Sequence, residues 1–319
     1  MAGIGRIAFL GSGSFGLPLL HRVRAIADEL LVVTQPDRPA GRKLQMRASP
    51  IASYAREHGI EVLSPNRLRS EDSREELRRF APDGLLLAAY GQLVPTELLE
   101  LAERPPLNVH PSLLPRHRGA APVAGTILSG DAEAGVTLMV MTEELDAGPI
   151  VAQWRVPLAG RETTPELEAR LADLAAEVVP PELDRWAAGE RSAVPQDDAL
   201  STHVHPFTRS DGWIDWRRPA VEIDRQVRAL QPWPGAWTMV DGRRIHVRRA
   251  TPVAGVDDVP IGALLPGDPP FVAAGVGALA LEIVQPEGRP AMPAEAWRRG
   301  LDRDHVLLGG RRPGELGRQ

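Results

Sequence analysis

The stretch Asn108 to Gly119 reads NVHPSLLPRHRG, and the first domain is organised around it. On a strand, residues two apart point to the same face, so a strand ending here presents Asn108 and His110 side by side. Because the residue before a proline is kept out of the helical region, the strand is expected to end at His110. Open α/β sheets keep their active sites at the carboxyl ends of the strands. An amide that donates hydrogen bonds and an imidazole that titrates near neutral pH are therefore candidate site residues.

The residues that follow this pair connect it to a family. Alone, Asn-x-His is also explained by two satisfied polar residues at a strand end. Followed by Pro-Ser-Leu-Leu-Pro-x-x-Arg-Gly, it resembles the signature of the formyltransferases that use 10-formyltetrahydrofolate. The resemblance implies that Asn108, His110 and a third residue, Asp146, are catalytic. It also implies that the folate lies along Ser112, Leu113, Leu114 and Pro115.

The first domain is predicted to be a Rossmann-like α/β domain over residues 1–189. Apolar segments that read as strands alternate with helical segments along this part of the chain. The segment from Gly84 to Ala89 is wholly apolar, which is typical of a strand in the middle of a parallel sheet. Tyr90 and Gly91, at its end, resemble the Tyr-Gly segment that lines the folate pocket in the family.

The N-terminal segment from Gly11 to Gly16 reads GSGSFG and matches the dinucleotide fingerprint G-x-G-x-x-G. The fingerprint also needs an acidic residue at the end of the second strand, about 20 residues on. Here that strand ends at Thr34-Gln35-Pro36. We therefore predict a tight strand-to-helix turn, and the alternative of a NAD-dependent dehydrogenase is disfavoured.

The connection from residue 34 to residue 49 is long for a strand-to-helix loop, and loops of this length are usually functional or disordered. It carries four basic residues against one acid: Arg38, Arg42, Lys43 and Arg47. A solvated surface loop is one reading. The sequence QPDRPAGR is also similar to the loop of the methionyl-tRNA-formylating members of the family, which enters the tRNA acceptor stem. The resemblance implies that these four residues bind tRNA, with Arg42 at the family's arginine, although the usual lysine cluster is replaced by Lys43 and Arg47.

A second, smaller domain is predicted over residues 207–308, after a polar linker at 190–206 and before a tail at 309–319. Short apolar segments separated by turns predict a small β-barrel. Ile-Asp-Trp at 214–216 and Pro-Trp-Pro-Gly-Ala-Trp at 232–237 resemble landmarks of the family's OB-like C-terminal domain. Between Arg217 and Arg249 there are eight arginines against three acids, which favours contact with an RNA backbone over a merely solvated surface.

Composition excludes several classes of protein. The chain has 319 residues and no cysteine, so disulfides, thiol nucleophiles and cysteine zinc sites are excluded. The net charge of -5 leaves only local patches for RNA binding. No apolar run approaches the roughly 18 residues of a membrane helix, and no signal peptide is evident, so we expect a cytoplasmic protein with no membrane partner. His203 and His205 lack a third ligand nearby, so no metal is expected.

The resemblance as a whole implies transfer of a formyl group from 10-formyltetrahydrofolate to the α-amino group of initiator methionyl-tRNA, by a monomer. Asn108 and protonated His110 are expected to stabilise the oxyanion, and Asp146 to orient His110. A sugar-nucleotide formyltransferase that uses the same folate donor is the main alternative, but such an enzyme should lack the basic loop. A non-catalytic RNA-binding module would leave the Asn-His-Asp set unexplained.

Overall fold

The computed structural model describes residues 4–40, 45–102, 104–255, 258–301 and 306–309. The contacts between residues divide the chain into two units. The first consists of Met1–Pro122, Glu133–Pro157 and Glu166–Val204, and the second of Val123–Ala132, Leu158–Pro165 and His205–Gln319.

The first unit is built on a seven-stranded sheet. The strands of this unit are β1 Arg6–Gly11, β2 Glu29–Val33, β3 Arg38–Ala40, β4 Gln45–Arg47, β5 Glu61–Leu63, β6 Gly84–Ala88, β7 Leu107–His110, β8 Arg118–Gly119, β9 Glu133–Val140, β10 Ile150–Pro157 and β11 His203–Val204. Strands β3 and β4 pair with each other, as do β8 and β11, and the other seven form the sheet. The sheet order is β10-β9-β7-β6-β1-β2-β5. Strands β5, β2, β1, β6 and β7 run parallel, and β9 runs antiparallel to both of its neighbours, β7 and β10. The carboxyl ends of β1, β2, β6 and β7 therefore lie at one edge of the sheet.

Helices connect these strands, and their ends are visible in the sequence. They are α1 Gly16–Arg24, α2 Pro50–Glu57, α3 Glu71–Phe80, α4 Thr96–Leu99 and α6 Thr164–Ala187, with α5 Pro122–Ser129 mostly in the second unit. At the start of α2, the Ser49 side chain accepts a hydrogen bond from Ala52 N at 3.0 Å, and Pro50 occupies the first turn, where its missing N–H is not needed. One core cluster of this unit packs apolar side chains of β1 and β2 against Leu77 of α3.

The second unit contains a curled, antiparallel half-barrel sheet. Its strands are β12 Ala236–Val240, β13 Arg243–Val253, β14 Ala263–Leu265, β15 Phe271–Ala273, β16 Ala278–Pro286, β17 Met292–Pro293 and β18 Val306–Leu307. The helices α7 Ala220–Ala229 and α8 Ala294–Arg299 accompany it. Ile223 and Val227 lie four apart on α7, so they share a helix face, and both are buried in the core of this unit.

The predicted fold class is confirmed: a Rossmann-like unit precedes a smaller OB-like unit with an antiparallel sheet. The main difference lies in the basic connection after β2, where the sequence predicts only a loop. Strands β3 and β4 form a short hairpin there, in the register Arg38 opposite Arg47. Its three-residue strands lack alternation, and one contains a proline, so no pattern could reveal it. Arg42 and Lys43 lie outside the described residues.

Candidate active site

Asn108, His110 and Asp146 come together in the first unit. Strand β7 places Asn108 and His110 on the same side, as the spacing predicts. Asn108 Nδ2 donates to Asp146 Oδ1 at 3.2 Å, and His110 Nδ1 lies 3.5 Å from the same oxygen. All three side chains are more than nine-tenths buried. The structure thus assembles one amide, one imidazole and one carboxylate from positions up to 38 residues apart.

Both ring nitrogens of His110 face oxygen atoms. Nε2 lies 3.0 Å from the backbone carbonyl of His117, which can only accept a hydrogen bond, and Nδ1 faces Asp146. A histidine donates from both nitrogens only when it is protonated. The Nδ1 contact is long for a hydrogen bond, so a proton on this nitrogen is not tightly held by the carboxylate.

The Asp146 side chain is held by a loop with unusual backbone geometry. Its φ is +54°, in the left-handed region that favours glycine. The second carboxylate oxygen, Oδ2, accepts a hydrogen bond from Gly119 N at 2.8 Å. Two residues further on, a Cβ at Gly148 would overlap the carbonyl of Val140, so the loop needs glycine there. Backbone constraints on both sides therefore fix the carboxylate.

The segment Ser112–Pro115 leaves β7 and is fixed by β9 and β10. Thr137, which pairs with His110 in the sheet register, is fully buried. Its Oγ1 donates to Ser112 O at 2.6 Å and accepts from Leu114 N at 3.2 Å. Gln153 Nε2 donates to Leu114 O at 2.7 Å. The Leu113 side chain reaches the surface of Gly135, where a Cβ would overlap it. The segment assigned to folate by resemblance is thus a rigid turn beside His110.

Tyr90 and Gly91 follow β6 at the same edge of the sheet. The Tyr90 ring lies inside the hydrophobic core, and burial raises the pKa of its phenol. Its backbone carbonyl accepts a hydrogen bond from Gln35 Nε2 at 2.9 Å. Gly91 has φ +80°, and a Cβ there would approach the same Gln35 amide closely. At this position the backbone, rather than the phenol, lies near the start of the basic hairpin.

The backbone amides of the glycine-rich turn after β1 are hydrogen-bonded within the protein. Ser12 N and Gly13 N both donate to the carbonyl of Ala89, each at 3.1 Å. In a dinucleotide-binding turn, backbone amides of this kind and the helix N-terminus would face the pyrophosphate. Ala89 has φ +53°, a non-glycine residue in the left-handed region. The turn therefore shapes the packing of β1 against β6.

Several polar residues at this site have no motif that would identify them from the sequence. Thr137 and Gln153 hold the Ser112–Pro115 turn. Arg118 is buried, and its guanidinium donates to Gln196 Oε1 from two nitrogens, at 3.1 and 2.8 Å. Thr202 Oγ1 accepts from His117 N at 2.8 Å. Thr137 lies on a strand that is buried from Ala134 to Met139, so no alternation of buried and exposed residues identifies it.

The basic hairpin exposes Arg38 and Arg47 directly opposite each other. At its base, Asp37 forms an ion pair with Arg56 at 3.2 Å, and Thr34 and Ser49 are joined by a hydroxyl contact of 2.8 Å. Like charges opposite each other destabilise an antiparallel pair unless an anion lies between them. Within the described ranges, no group of three or more His, Asp or Glu side chains could hold a metal ion.

Comparison with known proteins agrees with the geometry of both units. The model of the formyl transferase family matches residues 5–183, and that of the formyl transferase C-terminal domain matches residues 206–302. The methionyl-tRNA formyltransferase of Roseiflexus sp. is 45% identical over 97% of this chain and 95% of its own. The chain belongs to the methionyl-tRNA formyltransferase family. The family member from Thermus thermophilus is 40% identical over 92% of this chain and 96% of its own.

A solved structure supports the fold at lower identity. The N-formyltransferase of Helicobacter canadensis, in complex with folinic acid and dTDP-3-aminofucose, superposes with a TM-score of 0.65. The two sequences are 16% identical, and the superposition covers 88% of this chain and 99% of the Helicobacter chain. The fold is therefore shared across the wider group of formyltransferases. In the part of the chain that the structure describes, no helix has the length and apolar character needed to cross a membrane.

Proposed function

We propose that this protein transfers the formyl group of 10-formyltetrahydrofolate to the α-amino group of initiator methionyl-tRNA, for translation initiation. The observation that supports the reaction best is the buried set of Asn108, His110 and Asp146 beside the Ser112–Pro115 turn. The observation that supports the acceptor is the similarity to methionyl-tRNA formyltransferases over 97% of the chain.

In this mechanism the amine attacks the formyl carbon, and a tetrahedral oxyanion forms. Collapse of this intermediate breaks the bond between the formyl carbon and the folate nitrogen, which takes up a proton and leaves as tetrahydrofolate. Preorganised donors are most effective at such a charge, and removing one typically lowers the rate by about 10²–10³. Asn108 Nδ2 has a second hydrogen besides the one given to Asp146. His110 Nε2 is already engaged by the His117 carbonyl, whereas its Nδ1 is held loosely at 3.5 Å from Asp146. Asn108 Nδ2 and His110 Nδ1 are therefore the two donors proposed for the oxyanion.

Asp146 acts on the proton of the attacking amine. Its carboxylate is nine-tenths buried and already accepts hydrogen bonds from Asn108 and the Gly119 amide. These two hydrogen bonds hold the carboxylate in place, and the carboxylate, which faces Nδ1 of His110, fixes the orientation of the ring. It accepts the amine proton directly or through one water, as a general base does.

The proposed substrate segments follow the carboxyl ends of β2, β6 and β7. The folate donor lies along Ser112, Leu113, Leu114 and Pro115, with the Tyr90–Gly91 backbone on the neighbouring strand end. The tRNA is bound by the basic hairpin, through Arg38 and Arg47 on its strands and Arg42 and Lys43 between them. We further propose a catalytic domain at 1–189, a linker at 190–206, a tRNA-binding domain at 207–308 and a tail at 309–319, in a monomer that works in the cytoplasm.

A sugar-nucleotide formyltransferase remains the competing function, because the Helicobacter structure shows the same fold. The basic hairpin favours tRNA, since opposed exposed arginines suit a run of phosphates better than one diphosphate. A formylation assay distinguishes the two functions. Purified protein is incubated with 10-formyltetrahydrofolate and with either methionyl-tRNA or an amino-sugar nucleotide, and the rate of formylation of each amine is measured. We expect methionyl-tRNA to be formylated faster than the amino-sugar nucleotide. Faster formylation of the amino sugar would contradict the proposal.

A further inference from the structure

The segment 194–204 lies along the active site, although its sequence is polar and aperiodic. Val194 exchanges both backbone hydrogen bonds with Ile150, each at 2.8 Å. At the other end, β11 pairs in parallel with β8, and Ala120 N donates to Val204 O at 3.0 Å. The segment is thus hydrogen-bonded at one end to the first residue of β10 and at the other to β8 and Ala120. It lies between the two matched family regions, which end at residue 183 and begin at residue 206.

Gln196 forms hydrogen bonds to the loop that contains Asp146. Its Nε2 donates to the backbone carbonyls of Asp146, at 2.9 Å, and Gly148, at 2.8 Å. Its Oε1 accepts from the buried guanidinium of Arg118, which also donates to Asp198 at 2.7 Å. Both polar atoms of the Gln196 amide therefore form hydrogen bonds, and this one side chain satisfies two backbone carbonyls of the Asp146 loop.

Thr202 forms hydrogen bonds to the turn at His117, on the other side of His110. Its Oγ1 accepts from His117 N at 2.8 Å, and its carbonyl accepts from Arg118 N at 2.8 Å. His117 has φ +61°, the same uncommon region as Asp146. Its carbonyl is the group that faces His110 Nε2. Both ring nitrogens of His110 thus face a residue with an uncommon backbone conformation, and the 194–204 segment contacts both of these residues.

We propose that Gln196 and Thr202 are positioning residues, which hold His110 from its two sides through Asp146 and His117. This inference rests on the proposed role of His110 in formyl transfer. Non-glycine residues persist in the left-handed region only when surrounding contacts hold them there. Loss of one contact is expected to let the imidazole or the carboxylate shift, and small misplacements of catalytic groups lower the rate by up to about 10²-fold.

The test compares near-isosteric and truncated variants in the full-length protein. Thr202→Val keeps the shape and removes the acceptor, and Thr202→Ser keeps the hydroxyl. Gln196→Ala removes both hydrogen bonds to the Asp146 loop. Leu200→Ala is the matched control, because Leu200 lies in the same segment and is 62% exposed. For each variant, kcat and both KM values are measured with methionyl-tRNA and 10-formyltetrahydrofolate, together with the thermal midpoint.

We expect Thr202→Val and Gln196→Ala to lower kcat about 10- to 100-fold and to change each KM less than about threefold, as for groups that orient rather than bind. Thr202→Ser should recover most of the activity, and Leu200→Ala should match the wild type. If kcat of Thr202→Val stayed within twofold of Thr202→Ser, or Leu200→Ala lost as much, the inference would be wrong. Should Gln196→Ala be unfolded at the assay temperature, the two Thr202 variants decide.

Failure of the proposed function is distinguishable from failure of this inference. If the wild-type protein formylated an amino-sugar nucleotide rather than methionyl-tRNA, the acceptor would be wrong. The ratio of wild-type to Thr202→Val kcat, measured with whichever amine is formylated, would still test the positioning role.

Discussion

Replacing His110 by alanine tests the centre of the mechanism. In the proposed mechanism the substitution removes one oxyanion donor, Nδ1, and leaves Asn108 as the other. Loss of a single preorganised donor lowers kcat by about 10²–10³, which corresponds to about 2.7–4 kcal/mol in the activation free energy. We therefore expect the loss to reach at least the lower end of this range.

The same substitution has a calculable effect on stability. The His117 carbonyl loses its contact with Nε2, and an unsatisfied buried acceptor costs about 1–3 kcal/mol. Asp146 keeps its hydrogen bonds from Asn108 and from the Gly119 amide, so its charge stays partnered. A domain with a typical unfolding free energy of about 5–15 kcal/mol survives such a loss. The variant should therefore be folded and nearly inactive.

Single-turnover formylation with saturating 10-formyltetrahydrofolate and methionyl-tRNA separates chemistry from binding. The exposed His205 provides the matched control, since His205→Ala removes an imidazole outside the site. We expect wild-type rates for the control and a rate at least about 10² lower for His110→Ala. A rate for His110→Ala within tenfold of the control, with both proteins folded by circular dichroism, would refute the assignment.

Three other outcomes are expected. Calorimetric titration with NAD and with NADP should show no binding at millimolar cofactor, because the carbonyl of Ala89 occupies the amides of the glycine turn; a micromolar dissociation constant would revive the dehydrogenase alternative. KM for methionyl-tRNA should rise steeply with salt while KM for the folate changes little, and Arg42→Ala should lower the salt slope by about one if Arg42 neutralises one phosphate, whereas the exposed Arg22→Ala should not. Burial, with Arg248 and Arg244 nearby, lowers the pKa of His246 to about 4 from its ordinary 6.5. The unfolded chain therefore binds this proton first, and stability should fall as pH drops from about 6.5 to 4. His246→Gln should remove about 1–2 kcal/mol of that loss, allowing for partial exposure, as denaturant midpoints at pH 7 and 4.5 would show; equal losses in both proteins would contradict this.

Local rules explain why part of the site could be predicted from sequence. The period of a strand and the proline after it place Asn108 and His110 together without further knowledge. Asp146 is different, because it lies 38 residues from Asn108 and returns to it only through the antiparallel pairing of β9 with β7. Only a family motif could identify it in advance.

The contacts that escaped prediction share a physical character. Gln196 and Thr202 act through single side-chain hydrogen bonds to backbone groups, which leave no hydrophobic period in the sequence. Thr137 and Gln153 fix the Ser112–Pro115 turn in the same way. The Tyr90 ring packs into the core, a placement that its Tyr-Gly motif does not indicate. Sequence patterns record burial and turns, whereas these residues depend on tertiary geometry.

The bonding of residues 194–204 to β8 and to Ile150 affects how such enzymes can be recombined. A chimaera joined at residue 183, where the first matched family region ends, would take these residues from the donor of the C-terminal half. Its catalytic half would then carry foreign partners for the His117 and Asp146 turns. A junction after Val204 keeps each loop with the sequence that folded beside it. Exchange of tRNA specificity between relatives should therefore succeed at the second junction and lose turnover at the first.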